Sequence, residues 1–243
     1  MPASPGLRLN DRRVVVTGGA RGIGAAIVDT FRAEGADVVV LDVQAPEVAT
    51  RWIDVDLADP EASRAAATEA VQRLGGIDVL VNNAGILRMA PLLEISVDDW
   101  DLTMDVNARS MLVTTQVAAR AMIGAGHGGS IVNMASMGGR VGSTGQAHYA
   151  ASKAAVMALT RVSAMELGAY GIRVNCLCPG YVLTEMGAET RTPEMVAGWS
   201  SLSPLGRCAE PDDVARMALF LATDDSAYCT GQALDVSGGM VMP

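Results

Sequence analysis

Short runs of β-branched and aliphatic residues alternate with longer helical patterns along the whole chain, and a glycine-rich turn joins the first such pair. Residues 12–17 read as a strand, the turn follows, and residues 22–34 read as a helix. The next run, at 37–42, carries Val38, Val39, Val40 and Leu41 without interruption. Such a run suits a strand buried on both faces rather than one half exposed to water. The pattern repeats with strands expected at 52–56, 77–82, 130–135, 172–177 and 233–236, and helices at 61–74, 96–122, 147–167 and 211–222. Pro60 is placed to open the first of these helices, and the glycines at 126–129 stop the second. Residues 136–145 and 179–203 read as irregular. Strand–helix–strand units of this length require parallel pairing with right-handed crossovers. The expectation is an α/β, doubly wound parallel sheet of seven strands with helices on both faces, forming one domain over residues 1–243.

The remaining composition narrows the function. Half of the 243 residues are hydrophobic, 19% are charged and 4% are aromatic, so the core must rest on Ala, Val, Leu, Ile and Met. A net charge of −9 argues against wholesale binding to nucleic acid or anionic lipid. No apolar stretch is long enough to span a membrane, and residues 1–10 hold no apolar run resembling a secretory signal. The cysteines (Cys176, Cys178, Cys208 and Cys229) lack CxxC spacing, and there are two histidines. No metal site or disulfide framework is therefore expected, and reduced thiols suit the cytoplasm. Of the 18 basic residues, Lys153 is the one lysine.

Four features carry chemistry. The turn Thr17-Gly18-Gly19-Ala20-Arg21-Gly22-Ile23-Gly24 lies between strand and helix. Its missing Cβ atoms let a pyrophosphate approach the backbone, and the helix terminus offers free N–H groups. Asp42 ends the second strand, where an acid can accept hydrogen bonds from the ribose hydroxyls of an adenosine. Tyr149 and Lys153 form an i,i+4 pair on one helix face. An ammonium beside a phenol favours the phenolate, so the expected pKa of Tyr149 lies below its ordinary value of about 10. Ser136 ends the fifth strand, where its hydroxyl can hold a substrate oxygen beside that phenol.

Taken in order with Asn82-Asn83-Ala84-Gly85, Val106-Asn107 and Pro179-Gly180-xxx-Thr184, these motifs resemble the short-chain dehydrogenase/reductase family over essentially the whole chain. The resemblance implies a Rossmann-type sheet and hydride transfer between a nicotinamide and an alcohol or ketone. It implies Asn107, Ser136, Tyr149 and Lys153 as the catalytic set: Tyr149 as general acid/base, Lys153 on the nicotinamide ribose, Ser136 on the substrate oxygen, Asn107 on a relay water. For the cofactor it implies Gly18, Arg21, Gly22, Ile23, Gly24, Asp42, Asp56, Leu57, Asn83, Ala84, Gly85, Pro179, Gly180, Val182 and Thr184, besides Tyr149 and Lys153. A substrate segment is expected at about 180–205. With Ser136 and Tyr149, the substrate mouth is expected to include Met137, Ser143, Gln146, Tyr181, Met186 and Trp199. His148 precedes Tyr149, but Tyr149 already fills the acid/base role and His148 points elsewhere.

Three functions compete on these residues. The first is an NAD-dependent dehydrogenase of a secondary alcohol, with the segment 180–186 and Pro204-Leu205-Gly206-Arg207 similar to polyol and sugar-alcohol members. The second is an NADPH-dependent 3-oxoacyl-carrier-protein reductase. It is disfavoured by Asp42 and by the overall negative charge, although Arg88 and Arg140 would make a local basic patch. The third, a non-catalytic nucleotide-binding protein, is disfavoured because both Tyr149 and Lys153 are present. A homotetramer is expected from the family and from the alanine-rich helix at 147–167.

Overall fold

The computed structural model describes residues 7–47, 50–186, 188 and 191–242. Seven parallel strands form one sheet in the order β3-β2-β1-β4-β5-β6-β7. They are β1 (Arg13–Thr17), β2 (Asp37–Asp42), β3 (Arg51–Asp54), β4 (Val79–Asn82), β5 (Gly129–Met134), β6 (Ile172–Pro179) and β7 (Ala233–Val236). Among the described residues, eight α-helices lie between them: α1 (Gly22–Ala33), α2 (Pro60–Leu74), α3 (Val97–Met104), α4 (Ser110–Ala125), α5 (Gly138–Val141), α6 (Ala147–Leu167), α7 (Pro193–Leu202) and α8 (Pro211–Ala222).

The strand alternation divides the core into two layers. Val14, Val16, Val38 and Val40 face one cluster with Ile27 and Phe31 of α1 and Val214 and Leu219 of α8. Their neighbours Val15, Val39 and Leu41 face the other cluster, with Ala66 of α2, Ala118 of α4 and Ala164 of α6. Side chains of period two thus fill both faces, and this is why the strands read as unbroken apolar runs. Small alanines on the second face let the helices sit close to the sheet.

Helix ends follow local chemistry. Asp59 accepts hydrogen bonds from the N–H groups of Glu61 and Ala62, Pro60 opens α2, and Gly75 closes it with a φ of 69°. The order of strands reverses between β1 and β4, which opens a crevice at their C-terminal ends. Both the glycine turn and the Asn83–Gly85 stretch emerge there.

Three expectations change. The helix expected at 96–122 is two helices, α3 and α4, joined by a π-helical turn, Asp105–Arg109, and α4 runs on to Ala125. The loop at 136–145 contains the single turn α5. The segment read as irregular contains α7, opened by Thr192, which accepts the N–H of Met195 at 3.3 Å, and by Pro193. Within the substrate segment expected at 180–205, residues 187, 189 and 190 lie outside the described residues.

Candidate active site

The glycine turn is built by contacts that exclude side chains. Gly18 has a φ of 64°, and a Cβ there would stand 2.7 Å from the Ala84 Cα. At Gly24 a Cβ would lie 1.9 Å from the Gly18 carbonyl oxygen. These two glycines let β1, β4 and α1 meet at the crevice. Thr17 Oγ accepts the N–H groups of Asn83 and Ala84, each at 3.0 Å, and Asn83 Nδ2 donates to the Gly18 carbonyl at 2.7 Å. Asp42, at the end of β2, is partly exposed, and its carboxylate accepts the N–H of Ala20 and of Gln44 at 3.0 Å each. One carboxylate oxygen is therefore tied into the turn beside the crevice. Arg21 is exposed directly before α1.

Residues Asp56 and Leu57 are placed differently from each other. Asp56 is exposed and accepts the Ala58 N–H at 2.9 Å. The Leu57 side chain is buried with Ile53 and Val55 in the core.

A second constellation lies beside the first, at the ends of β5 and β6. Ser136 follows β5, and its Oγ accepts the Gly138 N–H at 3.0 Å. Tyr149 and Lys153 lie on α6, and Lys153 is 3% exposed. The Lys153 ammonium donates to the Met134 carbonyl at 2.9 Å and sits 5.7 Å from the centre of the Tyr149 ring. Burial lowers the Lys153 pKa to about 8, against the opposing influence of Cys178 and Cys176. For Tyr149, burial pushes the phenol above its ordinary value, and a hydrogen bond from Ser136 works against it. The expected lowering is therefore corrected: desolvation of the phenol outweighs the hydrogen bond from Ser136.

Asn107 sits in the π-helical turn, fully buried. Its Oδ1 accepts the Ile86 N–H at 2.8 Å, and its Nδ2 donates to the Ile86 carbonyl and to Ser152 Oγ, each at 3.0 Å. Gly85 closes the gap between Asn107 and Lys153: a Cβ there would stand 3.3 Å from Asn107 Oδ1 and 3.2 Å from Lys153 Nζ. A π-turn inserts one residue into the helical register and re-aims a side chain, here Asn107. Behind this group, Thr114 donates to Asn82, Asn82 to Asn133, and Asn133 to Thr160, over distances of 2.7–2.9 Å. This buried polar ladder ties α4 and α6 to β4 and β5.

The substrate mouth is assembled only in part. Met137 N–H donates to the Pro179 carbonyl at 3.0 Å, joining the Ser136 loop to the end of β6. Gly180 N–H donates to Val236, and Val182 bridges to Ala209. Tyr181 and Trp199 stack with centroids 4.4 Å apart and planes within 6°, so α7 is pinned to the end of β6. Gln146 N–H donates to the carbonyl of Ser143, whose side chain is exposed. Met186 is also exposed. Thr184 lies against Gly22, with its Cβ 3.4 Å from where a Gly22 Cβ would stand. His148 is fully buried, and neither ring nitrogen has a partner among the described residues.

Four participants were absent from the expected set. Thr17 and Ser152 act through hydrogen bonds to named site residues. Met134 acts through its carbonyl, which no residue type announces. Glu185 brings its carboxylate beside Gly22. Among the described residues, no cluster of His, Cys, Asp and Glu could hold a metal ion, and no helix is long and apolar enough to cross a membrane.

Comparison with known proteins agrees with this geometry. Residues 18–241 match the family model described as enoyl-(acyl carrier protein) reductase. The chain is 39% identical to a 3-oxoacyl-[acyl-carrier-protein] reductase of Chlamydia pneumoniae, over 96% of this chain and 98% of that protein. It is 41% identical to a galactitol 2-dehydrogenase (L-tagatose-forming) of Cereibacter sphaeroides, over 96% of each. It also resembles the crystal structure of a short-chain type dehydrogenase/reductase from Mycobacterium marinum, with a TM-score of 0.90, 33% identity and 98% of each chain covered.

Proposed function

The chain belongs to the short-chain dehydrogenase/reductase family of oxidoreductases acting on CH–OH and C=O groups, and from that premise we propose that it is an NAD-dependent dehydrogenase of secondary alcohols, with polyols as its substrate class. The observation that carries this reading is the convergence of Ser136, Tyr149 and Lys153 beside a crevice whose other side is the glycine turn and Asp42.

The residues present fit a dinucleotide. Gly18 and Gly24 leave a cradle that a Cβ would fill, and α1 starts without a side-chain cap. Gly18, Gly22, Ile23 and Gly24 would hold the pyrophosphate, Asp42 the adenosine ribose, Asp56 and the Leu57 backbone the adenine, and Asn83 to Gly85 the adenosine side. Pro179, Gly180, Val182 and Thr184 would hold the nicotinamide end, with Lys153 and Tyr149 at its ribose. When bound, the nicotinamide supplies or accepts the hydride.

The protein moves the proton. Ser136 is a neutral donor that can fix the substrate oxygen next to the phenol of Tyr149. Tyr149 Oη takes the proton from an alcohol or gives it to a ketone. Lys153 holds a buried positive charge beside it, positioned by the Met134 carbonyl. Asn107 anchors Ile86 by two hydrogen bonds beside Gly85, which separates it from Lys153.

Three features favour NAD(H) and a small hydroxylated substrate. If Asp42 holds the adenosine ribose, its carboxylate would meet the extra phosphate of NADP. Arg88 and Arg140, which would have formed a patch for an acidic carrier protein, are paired with Asp99 and Asp235 respectively. Ser143 and Gln146 add polar groups at the mouth, with Met137, Met186, Tyr181 and Trp199 as apolar walls. A second reading, reduction of a 3-oxoacyl carrier-protein thioester, is favoured by the likeness to the Chlamydia pneumoniae enzyme.

The deciding experiment measures NAD(H)- and NADP(H)-linked turnover against a panel of polyols, simple secondary alcohols and a 3-oxoacyl thioester. Turnover confined to the thioester would overturn the polyol reading. We further propose a homotetramer located in the cytoplasm. Exposed Leu112 and Ile123 on α4, and Val162 and Met165 on α6, give these helices apolar outer surfaces suited to subunit packing. Light scattering that returned a monomer at micromolar concentration would refute the assembly.

A further inference from the structure

The carboxylate of Glu185 lies against the turn assigned to the pyrophosphate. A Cβ built on Gly22 would stand 3.3 Å from Glu185 Oε2. Gly22 is the first residue of α1, whose first turn contains no acidic side chain and whose preceding residue, Arg21, makes no capping hydrogen bond. The start of a helix attracts an anion through its free N–H groups and its dipole. In this chain the nearby anion comes from a residue remote in sequence, Glu185.

Glu185 is not a loose arm. The residues before it are fixed by the Val182–Ala209 bridge and by a hydrogen bond from Leu183 N–H to the Ala209 carbonyl at 2.9 Å. Arg191 Nη1 donates to the Thr184 carbonyl at 3.0 Å. The backbone up to Glu185 is thus tethered, and the solvent-exposed side chain carries its carboxylate beside α1.

A carboxylate and a pyrophosphate cannot share one helix terminus without repulsion. We infer that Glu185 competes with the dinucleotide's pyrophosphate for the N-terminal end of α1, weakening cofactor binding and speeding cofactor release. The inference rests on the cofactor site proposed above. Its benefit would lie in turnover, because product release is often the slow step of enzymes that sequester their reactants. Each catalytic cycle ends with a dinucleotide that must leave, and a carboxylate tethered at the pyrophosphate site lowers the barrier to its departure.

The test is the dissociation constant of NADH, read by fluorescence titration, for the wild type, Glu185→Gln and Glu185→Lys. The Gln variant keeps the shape and removes the charge. At low ionic strength its Kd should fall about five- to tenfold, and the gap should close near 1 M salt, where the Debye length is about 3 Å. The Lys variant should bind more tightly than Gln. ADP-ribose, which carries the pyrophosphate, should show the same shift in competition, whereas adenosine should not. Stopped-flow displacement should show slower NADH release from Glu185→Gln. Wild-type Kd values in both variants, or a shift that salt does not reduce, would overturn the inference and leave the cofactor site standing. A wild type that binds neither NADH nor NADPH would overturn the cofactor site and the inference together.

Discussion

The Lys153 ammonium lies 5.7 Å from the centre of the Tyr149 ring and is directed to the Met134 carbonyl, not to the phenol oxygen. It therefore contributes a buried positive charge near the ring without a hydrogen bond to the group that moves the proton. Burial of the phenol wins over the hydrogen bond from Ser136, and the Tyr149 pKa is raised. In the protein alone Tyr149 is a proton donor in waiting at neutral pH, not a preformed phenolate. Ultraviolet difference titration of the wild type against Tyr149→Phe should find this phenol ionising above the ordinary tyrosine value of about 10. Ionisation near neutrality in the absence of nucleotide would contradict the geometry. The Phe variant should fold, bind NADH and lose about 10²–10⁴-fold in kcat, the usual worth of a positioned acid/base.

Replacing Lys153 by Arg should fail although it keeps the charge. The side chain is buried against Gly85, where even a Cβ would stand 3.2 Å from Nζ, and its base lies against Gly139, where a Cβ would lie 3.0 Å from Lys153 Cβ. A planar guanidinium is larger than an ammonium and donates in fixed directions. It would have to displace the glycine backbone or leave the Met134 carbonyl. Overpacking of this kind costs about 1–3 kcal/mol in stability, and misplacement by about 1 Å can cost around a hundredfold in rate. Thermal denaturation, kcat and NADH affinity should all worsen. Values within about threefold of the wild type for both kinetic quantities would make Lys153 an interchangeable local charge.

The cofactor preference should follow Asp42. Its carboxylate is held by the Ala20 and Gln44 N–H groups, so it cannot swing away from a neighbouring phosphate at no cost. Two unit charges about 4 Å apart repel by roughly 4 kcal/mol at an effective dielectric near 20, before solvent and salt reduce it. A preference for NAD over NADP on the order of a hundredfold in kcat/KM is expected on that basis. Asp42→Ser should narrow it at least about tenfold, chiefly through KM for NADP. Arg21, exposed at the edge of the crevice, is the group that would soften the preference. Equal kcat/KM for the two cofactors in the wild type would remove Asp42 from its proposed role.

What could be read from residue order was whatever leaves a periodic or compositional mark. The strand at 37–42 has the same limits in sequence and structure because burial on both faces demands an unbroken apolar run. The π-helical turn left no such mark: Asp105, Val106, Asn107, Ala108 and Arg109 all suit an ordinary helix, and one inserted residue does not disturb the pattern enough to show. Helix α7 was hidden by Gly198 and the serines at 200 and 201, although Thr192 and Pro193 are a good start signal. The Met134 carbonyl and the approach of Glu185 to Gly22 are products of tertiary packing, and nothing in their local sequence points to them. The Leu57 side chain enters the core, so any part it plays at the adenine falls to its backbone, which residue type does not announce.

Stability should fall on the acid side through a group far from the crevice. Asp78 immediately precedes β4 and is nearly buried at the N-terminal edge of the sheet. Burial by itself would raise its pKa, but hydrogen bonds from Arg13 override that and hold it below the usual carboxylate value. Arg13 Nε and Nη2 grip the two oxygens at 2.9 and 2.8 Å, and the Arg13 backbone N–H adds a third bond at 2.8 Å. The folded-state pKa is lower than the unfolded one, so the unfolded chain binds the proton more readily. This stabilisation is complete above the unfolded value of about 3.9 and disappears as pH falls through the lower folded value. Asp78→Asn removes the charge at every pH and leaves the Arg13 guanidinium without its carboxylate, a loss of about 1.5–3 kcal/mol at pH 7 for hydrogen bonds to charged groups. Urea unfolding at pH 7 and near pH 3 should show the variant weaker than the wild type at pH 7 and closer to it in acid. A gap that stayed constant between the two pH values would mean that the pair contributes packing rather than charge.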